Sequence, residues 1–486
     1  MGSLLAILDR PRTVAGPHYS RWLVPPAALA VHLCIGQAYA LSVFNLPMTK
    51  LIGIDHSAPE DWKLTTTVWI FNIAIFFLGA SAAVFGKWVE RVGPRKAMFF
   101  SGLCFGSGFL VSALGVWLHE ILLVYFGYGV LGGIGLGLGY IAPVSTLIKW
   151  FPDRPGMATG LAIMGFGGGA MIGSPLAVTL MNRLSTPNSA GVWETFAIMG
   201  VIYFLFMMFG AWSVRVPPGT TPSGDGRDLP AAGITADAAI RTRSFWLLWI
   251  VLFTNVTAGI GVLGQVSPMI QEMFGKTPAA AAGFVGLLSL FNLLGRFAWS
   301  SVSDLLGRPL TYGIFFGLGM LLYSLIPLTK SVGSITLFII ASCLIISMYG
   351  GGFATIPAYL RDTFGARQVG AIHGRLLTAW SVAGLVGPTI ITYVRQAQVD
   401  RGVPNSDAYS LTMYGLAGLL AIGFICNLLV RRVHQGQISS ALPGEYHRGQ
   451  FSIRSIQPLS WRWAIVILPL GWAVWQVAIK SVALYR

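Results

Sequence analysis

The sequence predicts an all-α polytopic membrane protein with twelve main spans and one additional carboxyl-terminal helix. The 486 residues are 55% hydrophobic and 10% charged, whereas soluble domains carry about 25% charged residues. Uninterrupted apolar segments of about 20 residues, the length that crosses a bilayer as a helix, recur along the chain. A helix also satisfies its own backbone hydrogen bonds in lipid. These observations together indicate helical spans throughout.

The apolar segments follow one another in order along the chain. The first has no small-residue cleavage site behind it, so we expect it to be retained and not removed as a signal peptide. The predicted spans start near Trp22, Leu64, Lys96, Ile121, Met157, Trp193, Phe245, Ala279, Leu310, Val332, Gln368 and Ala408.

A weaker thirteenth segment runs from Trp463 to Val482. Its tryptophans suit anchoring at a membrane interface, whereas Gln476 and Lys480 weaken the interpretation as a span. We expect a membrane-crossing helix with the carboxyl terminus outside, and the alternative is a helix that lies on the membrane surface.

The basic residues explain the net charge and predict the orientation. The formal net charge is +15, and most of the basic residues fall in loops on one side of the spans. By the positive-inside rule this places the amino terminus and those loops in the cytoplasm. We therefore expect a multi-pass protein of the bacterial inner (plasma) membrane, and the charge requires no nucleic-acid partner.

The chain divides into two related sets of six spans. The longest polar interruption among the twelve spans, 215–243, is rich in Pro, Gly and Asp. Around it, "GKWVERVGPRK" and "SSVSDLLGRPL" align Glu90 with Asp304 and Gly93 with Gly307, as expected for an internal repeat. The predicted organisation is a cytoplasmic amino terminus (1–21), an amino-terminal six-helix bundle (22–214), a cytoplasmic linker (215–243), a carboxyl-terminal six-helix bundle (244–432), a polar linker (433–462) and the additional helix (463–486).

The loop "GKWVERVGPRK" resembles the signature of the major facilitator superfamily, with Pro94 at one basic position. The resemblance implies a major facilitator fold whose two bundles rock about a site near the middle of the membrane. We expect Glu90, Arg91, Arg95 and Lys96 to form a charge cluster that locks the cytoplasmic side. The gating motif in its two copies comprises Gly86, Glu90, Arg91, Gly93, Arg95, Lys96, Asp304, Gly307 and Arg308.

A narrower resemblance covers nearly all of the twelve spans. The segments "KWFPDRPGMATGLAIMGFGGGAMIGSPL", "GRFAWSSVSDLLGR" and "YGGGFATIPAYLRDTFG" are similar to the oxalate/formate antiporter family, a relative of the monocarboxylate transporters. This resemblance implies that the substrate is a small carboxylate.

Arg296, in "FNLLGRFAW", lies inside a predicted span. All seventeen acidic residues can be placed in termini, in loops or near span ends, so no carboxylate is expected at its depth. Because an unpaired buried cation is costly, a ligand carboxylate would supply the partner. The resemblance also matches Arg296 to the span-eight arginine that binds substrate in the family. The alternatives are that Arg296 snorkels toward water or joins a cluster around Asp304 and Arg308.

Asn292 bears on proton coupling. The resemblance places it where proton-coupled monocarboxylate transporters carry an aspartate, and an amide cannot titrate. Together with the absence of other acids within the spans, this favours anion exchange or facilitated movement over proton symport. His32 and His373 are the candidate proton sites, since histidine can change its charge near neutral pH. Each also fits a simpler role as a hydrogen bonder between helices.

Trp380 bears on the number of carboxylates in the ligand. The resemblance places it where the oxalate exchanger has a lysine, so a second cation is missing unless Arg375 reaches inward. This favours a monocarboxylate. The fold implied by the resemblance adds further candidate substrate-binding residues, each of which alone also fits ordinary helix packing: Gln37, Tyr39, Tyr140, Phe166, Tyr349 and Phe353.

The predicted function is secondary active transport of small organic anions, mono- or dicarboxylates such as formate or oxalate, by exchange through rocker-switch alternating access. The alternatives are a proton-coupled monocarboxylate symporter and a carboxylate sensor that does not transport. No nucleophile, general base or metal set is apparent, and the four cysteines lie in apolar segments. We therefore expect no enzyme activity, cofactor or metal, and a protein that functions as a monomer in the lipid bilayer.

Overall fold

The computed structural model describes residues 6–54, 56–218, 233–432 and 461–481. Within these ranges the chain is helical, with only isolated β-bridges. Twelve described helices are long and apolar enough to cross a membrane, as predicted. They are α1 Arg21–Ala40, α2 Leu64–Val92, α3 Pro94–Trp117, α4 Ile121–Trp150, α5 Pro155–Leu184, α6 Val192–Ser213, α7 Arg243–Phe274, α8 Pro278–Leu306, α9 Arg308–Ser331, α10 Ile335–Phe364, α11 Val369–Asp400 and α12 Ser410–Leu429.

The helices that surround the middle of the molecule depart from regular α-helix. The last turn of α1 is a 3-10 segment, Gly36–Ala40, and α4 contains a π-helical stretch, Tyr125–Gly132. In α11 the segments Val369–Leu376 and Thr378–Asp400 meet at Leu377. Such local changes in helical pitch turn side chains away from the regular spacing and recur at functional sites.

Glycines allow close approach between helices. A Cβ on Gly137 of α4 would lie 2.4 Å from the carbonyl oxygen of Leu78 in α2. A Cβ on Gly36 of α1 would lie 2.4 Å from the carbonyl oxygen of Phe166 in α5. Small residues therefore bring backbones into contact, which drives packing between helices in lipid.

The two copies of the loop motif adopt the same backbone conformation. Helix α2 ends at Gly93 with φ 88° and ψ 169°, and α8 ends at Gly307 with φ 86° and ψ 151°. Only glycine adopts this conformation without strain. Helices α3 and α9 then begin immediately. We call the end of the molecule that carries these two turns the basic end.

A further helix, α13, spans Trp461–Ser481 and packs against α1, α5 and α8. Leu470 contacts the cluster of Leu29 and Leu33 from α1. Ala473 and Val477 are buried with Met171 of α5 and Leu293 of α8. The most apolar run of α13, Ile467–Val477, is shorter than a membrane span. Three parts of the predicted organisation lie outside the described residues: 219–232 of the linker 215–243, 433–460 of the linker 433–462, and 482–486 at the end of the additional helix.

Candidate functional site

Arg296 lies on α8 and is completely buried. Its Nε donates a hydrogen bond of 2.9 Å to Oδ1 of Asn292, one helical turn earlier. Neither Nη1 nor Nη2 has a hydrogen-bond partner among the residues that the structure describes. The side chain therefore does not snorkel to water. It presents two buried donors, and buried polar atoms without partners require an explanation.

Aromatic rings from both sets of six helices enclose the guanidinium. The Cζ atom of Arg296 lies 5.2 Å from the ring centre of Phe353 in α10 and 5.6 Å from that of Phe166 in α5. The Trp380 ring of α11 lies 4.5 Å from the Phe353 ring and 5.2 Å from the Phe166 ring. Ring faces attract a cation, so they partly stabilise Arg296 without neutralising its charge.

Three tyrosines complete this enclosure. The hydroxyls of Tyr39 in α1 and Tyr349 in α10 are 3.0 Å apart and hydrogen-bonded. The Tyr140 ring of α4 lies 5.4 Å from the Trp380 ring. The Tyr140 hydroxyl and the Trp380 Nε1 have no partner in the described part of the chain. Two further buried polar groups thus lie in the same aromatic cluster as Arg296.

The structure brings together all the predicted binding residues except Gln37. The side-chain oxygen of Gln37 accepts a 2.8 Å hydrogen bond from the Tyr128 hydroxyl, between α1 and α4. Its Cγ lies beside Gly173 of α5. Gln37 therefore faces the interior of the first six helices, since two residues along a helix point to different faces and Tyr39 takes the face toward the aromatic cluster.

His32 and His373 flank Tyr140. The His32 ring lies 5.4 Å and the His373 ring 5.8 Å from the Tyr140 ring. His32 Nδ1 is 3.1 Å from the carbonyl oxygen of Ala28, one turn earlier on α1. Within the described residues, His32 Nε2 and both nitrogens of His373 have no hydrogen-bond partner.

Arg375 does not supply a second cation to this cluster. Its Nη2 lies 2.6 Å from Oδ1 of Asp237, which precedes α7. The sequence left open whether the Arg375 side chain reaches the substrate site. In the structure it points toward the basic end. Arg296 is thus the only arginine that contacts the aromatic cluster among the described residues.

At the basic end, hydrogen bonds to carboxylates join the two sets of six helices. Oε1 of Glu90, on α2, accepts a 3.1 Å hydrogen bond from the backbone N–H of Gly370 at the start of α11. The carboxylate of Asp304, on α8, accepts hydrogen bonds of 2.9 and 2.8 Å from the N–H groups of Gly156 and Met157 at the start of α5. Each acid therefore stabilises the amino-terminal end of a helix in the other half.

The expected cluster of Glu90, Arg91, Arg95 and Lys96 is not observed, and this prediction was wrong. Glu90 pairs with Lys149 at 2.6 Å, and Lys96 lies 3.4 Å from Asp9. Arg95 donates to the carbonyl oxygens of residues 7, 212 and 214. The turn at 93 separates the residues, because Arg95 and Lys96 begin α3 and face the amino-terminal segment.

The sequence reasoning missed Asp237 as a link between the two halves. Its carboxylate pairs with Lys87 of α2 and with Arg375 of α11. The hydrogen bonds from Lys87 and then Arg375 hold the pKa of Asp237 at about 2, below its ordinary value of 3.8. No local signal marks this residue, because both partners are distant in sequence.

Comparisons with known proteins identify relatives that match about three quarters of the chain. The family description "Major Facilitator Superfamily" matches residues 27–388. The oxalate:formate antiporter of Oxalobacter formigenes is 25% identical over 382 residues, which cover 77% of this chain and 85% of that protein. Monocarboxylate transporter 11 of Homo sapiens is 24% identical over 390 residues, which cover 78% of each protein.

A solved structure shows the same fold. The crystal structure of the Major Facilitator Superfamily transporter FucP in the outward conformation superposes with a TM-score of 0.62. The match has 14% sequence identity and covers 85% of this chain and all of that one. At this identity the likeness concerns the fold alone.

Proposed function

The chain belongs to the Major Facilitator Superfamily, and from that premise we propose that it is a secondary transporter of small organic anions that works by exchange. The substrates are carboxylates of the size of formate, oxalate or lactate. The carboxylate binds Arg296 within the aromatic cluster, and access alternates between the two sides of the membrane. Relatives named as an oxalate:formate antiporter and a monocarboxylate transporter support this class of substrate.

The observation that carries the proposal is the unpaired guanidinium of Arg296. Its two Nη atoms are buried without partners, and its Nε is fixed by Asn292. A carboxylate presents two acceptor oxygens that match two parallel N–H donors. Binding would thus replace two unsatisfied donors with charge-assisted hydrogen bonds.

The same feature supports exchange over free movement of the empty carrier. Without an anion, closing the site buries an uncompensated cation, which is costly. With an anion, the buried pair is neutral and the switch in access becomes easier. Because Asn292 cannot carry a proton, nothing in α8 replaces the anion on the return step. The carrier therefore returns loaded.

The contacts at the basic end support a switch between two conformations. Glu90 and Asp304 each bind the start of a helix in the other half, so these bonds must break when that end opens. We assign the basic end to the cytoplasm of a bacterial plasma membrane, in keeping with the positive-inside rule. The conformation described here is then closed toward the cytoplasm.

Counterflow in proteoliposomes tests the proposal. Vesicles that contain the purified protein are loaded with unlabelled formate, oxalate, lactate or glyoxylate, and uptake of the labelled anion is followed. We expect Arg296→Gln to reduce counterflow at least about tenfold, because loss of a charged hydrogen-bonding partner costs about 2 kcal/mol or more. Arg183→Gln is the matched control, since Arg183 is exposed on α5. Unchanged counterflow in Arg296→Gln would remove Arg296 from its assigned role.

Proton-coupled symport is the second candidate, because His32 and His373 flank Tyr140 in the same aromatic cluster as Arg296 and histidine is a side chain that can carry a proton near neutral pH. A pH indicator trapped in the vesicles separates the two mechanisms. Symport acidifies the lumen as substrate enters, whereas exchange of equal charges does not. A sensor that binds carboxylate without transport would show ligand-induced thermal stabilisation and no counterflow.

A further inference from the structure

We propose that His32 is a specificity-determining residue that accepts a hydrogen bond from a hydroxyl group of the transported anion. The site would then select hydroxy-monocarboxylates over oxo-acids and unsubstituted acids of the same length. This inference rests on the proposed function, because it takes the carboxylate to be bound at Arg296.

The backbone contact of His32 fixes which ring nitrogen can accept. The carbonyl oxygen of Ala28 can only accept a hydrogen bond, so His32 Nδ1, 3.1 Å away, carries the hydrogen. In the neutral imidazole, Nε2 then presents a lone pair. That atom is buried and has no partner in the described part of the chain. A buried acceptor without a donor is unfavourable, and a ligand hydroxyl would satisfy it.

The other unpaired groups of the cluster are mainly donors. Arg296 Nη1 and Nη2 and Trp380 Nε1 can donate and cannot accept, whereas the Tyr140 hydroxyl can do either. The oxygen of Asn292 is already occupied by Arg296 Nε. The hydroxyls of Tyr39 and Tyr349 bond to each other. A carboxylate suits the donors, but it leaves Nε2 of His32 unpaired, so a ligand that both accepts and donates fits the site best.

His32 and Arg296 belong to the same cluster of ring contacts. The His32 ring lies 5.4 Å from the Tyr140 ring, the Tyr140 ring lies 5.5 Å from the Phe166 ring, and Arg296 Cζ lies 5.6 Å from the Phe166 ring centre. A ligand with a carboxylate at one end and a hydroxyl group at the other would contact both groups. A second carboxylate at the His32 end would face an acceptor, so the geometry disfavours a dianion there.

His373 is not assigned this role. Neither of its nitrogens is tied to the backbone or to another side chain among the described residues, so its tautomer is not fixed. It can donate as readily as it accepts and gives no discrimination between a hydroxyl and a carbonyl oxygen. The selectivity is thus expected to depend on His32 alone.

The test compares anion pairs that differ only at the second carbon. Counterflow is measured with glycolate, glyoxylate and acetate, and with lactate, pyruvate and propionate. We expect wild-type protein to prefer the hydroxy acid about tenfold or more over its oxo and unsubstituted analogues, since each analogue leaves a buried acceptor unpaired. His32→Phe should reduce that preference to about twofold or less, and His32→Gln, which keeps an acceptor, should retain part of it.

Two controls keep the outcome interpretable. His373→Phe should preserve the preference, and thermal unfolding of each purified variant shows whether it is folded. Absence of a preference in wild-type protein, its persistence in His32→Phe, or its loss in His373→Phe would each overturn the inference. Absence of counterflow with every anion would instead contradict the proposed function. If His32→Phe does not fold, the wild-type preference and His32→Gln still decide the question.

Discussion

At the scale of single residues, we propose that Trp380 limits the number of ligand charges that the site can hold. It is fully buried on α11, and its ring centre lies 4.5 Å from that of Phe353. The Phe353 ring also faces Arg296. Its indole N–H is a neutral donor without a partner among the described residues. The site therefore contains one permanent cation and a neutral donor on a facing helix, and this combination suits a single carboxylate.

We predict that Trp380→Lys shifts the preference from monocarboxylates to dicarboxylates. A second cation on α11 would pair with the second carboxylate of oxalate and raise its affinity about tenfold or more relative to formate. Without ligand, two unpaired buried cations would lower the unfolding temperature. Thermal-shift titrations with oxalate and formate measure both effects, and Trp380→Met is the neutral control. Equal oxalate affinity in the lysine and methionine variants would contradict the prediction.

The sequence predicts some of these residues and not others, for physical reasons. Arg296 is recognisable because a cation in an apolar segment is costly and therefore conspicuous. Gln37 was placed at the site because the fold implied by the resemblance lines the cavity with the first span, but it lies on the other face of α1 and bonds to Tyr128. The partner of Arg375 could not be predicted, because Asp237 lies on a short helix, Ala236–Ala239, with no spacing that relates it to α11.

At the scale of helices, α13 covers the junction between α5 and α8. A Cβ on Gly168 of α5 would lie 2.5 Å from Leu293 of α8 and 3.1 Å from Leu470 of α13. A Cβ on the adjacent Gly167 would lie 2.9 Å from Arg296 Nε. Glycine backbone therefore separates the arginine from the surface that α13 covers. The sequence predicted this helix from its apolar run but not the partners on which it packs.

We predict that Leu470→Ala destabilises the protein more than Leu468→Ala. Leu470 packs against Leu29 and Leu33, whereas Leu468 is 71% exposed. Removing packed methyl groups leaves unfilled space, and α5 and α8 would lose a contact at their junction. We expect the unfolding temperature in detergent to fall by a few degrees for Leu470→Ala and to stay nearly constant for Leu468→Ala. Equal changes in both variants would show that α13 is not held at this position.

At the scale of the whole molecule, the carboxylate links between the halves lie at the basic end. Glu90, Asp304 and Asp237 each link helices from both halves there. The sequence was sufficient for the twelve spans and the repeated loop motif, because apolar length and glycine turns are local properties. It was insufficient for the links between halves, because these depend on which conformation the molecule adopts.

We predict that Asp237→Asn increases the fraction of molecules in which the basic end is open. A single cysteine at Ser145, which lies beside Gly370, reports this opening through its rate of alkylation in protein whose four native cysteines are replaced. We expect Asp237→Asn to raise that rate a few-fold. Asp153→Asn is the matched control, because Asp153 pairs with Arg21 within one half. An equal rate in both variants would exclude Asp237 as a link that holds this end closed.

The same link is expected to be insensitive to pH in the physiological range. Because the pKa of Asp237 is lowered from 3.8 to about 2, its contribution is complete above the ordinary value and is lost only as the pH falls through about 2. The ratio of the alkylation rate in Asp237→Asn to that in the parent protein should therefore stay constant between about pH 5 and pH 8, because the thiolate fraction changes equally in both. A change of that ratio within the interval would assign the response to another group.

If a carboxylate binds Arg296 as proposed, the charge of this side chain also sets how transport responds to membrane voltage. When a monovalent anion neutralises the guanidinium, the loaded site carries no net charge, and exchange of one monocarboxylate for another is electrically silent. An empty site exposes one positive charge to the field, which amounts to about 2.3 kcal/mol per 100 mV if that charge crosses the whole potential. Because Arg296 has no internal counterion, the step that moves the loaded site would be independent of the membrane potential.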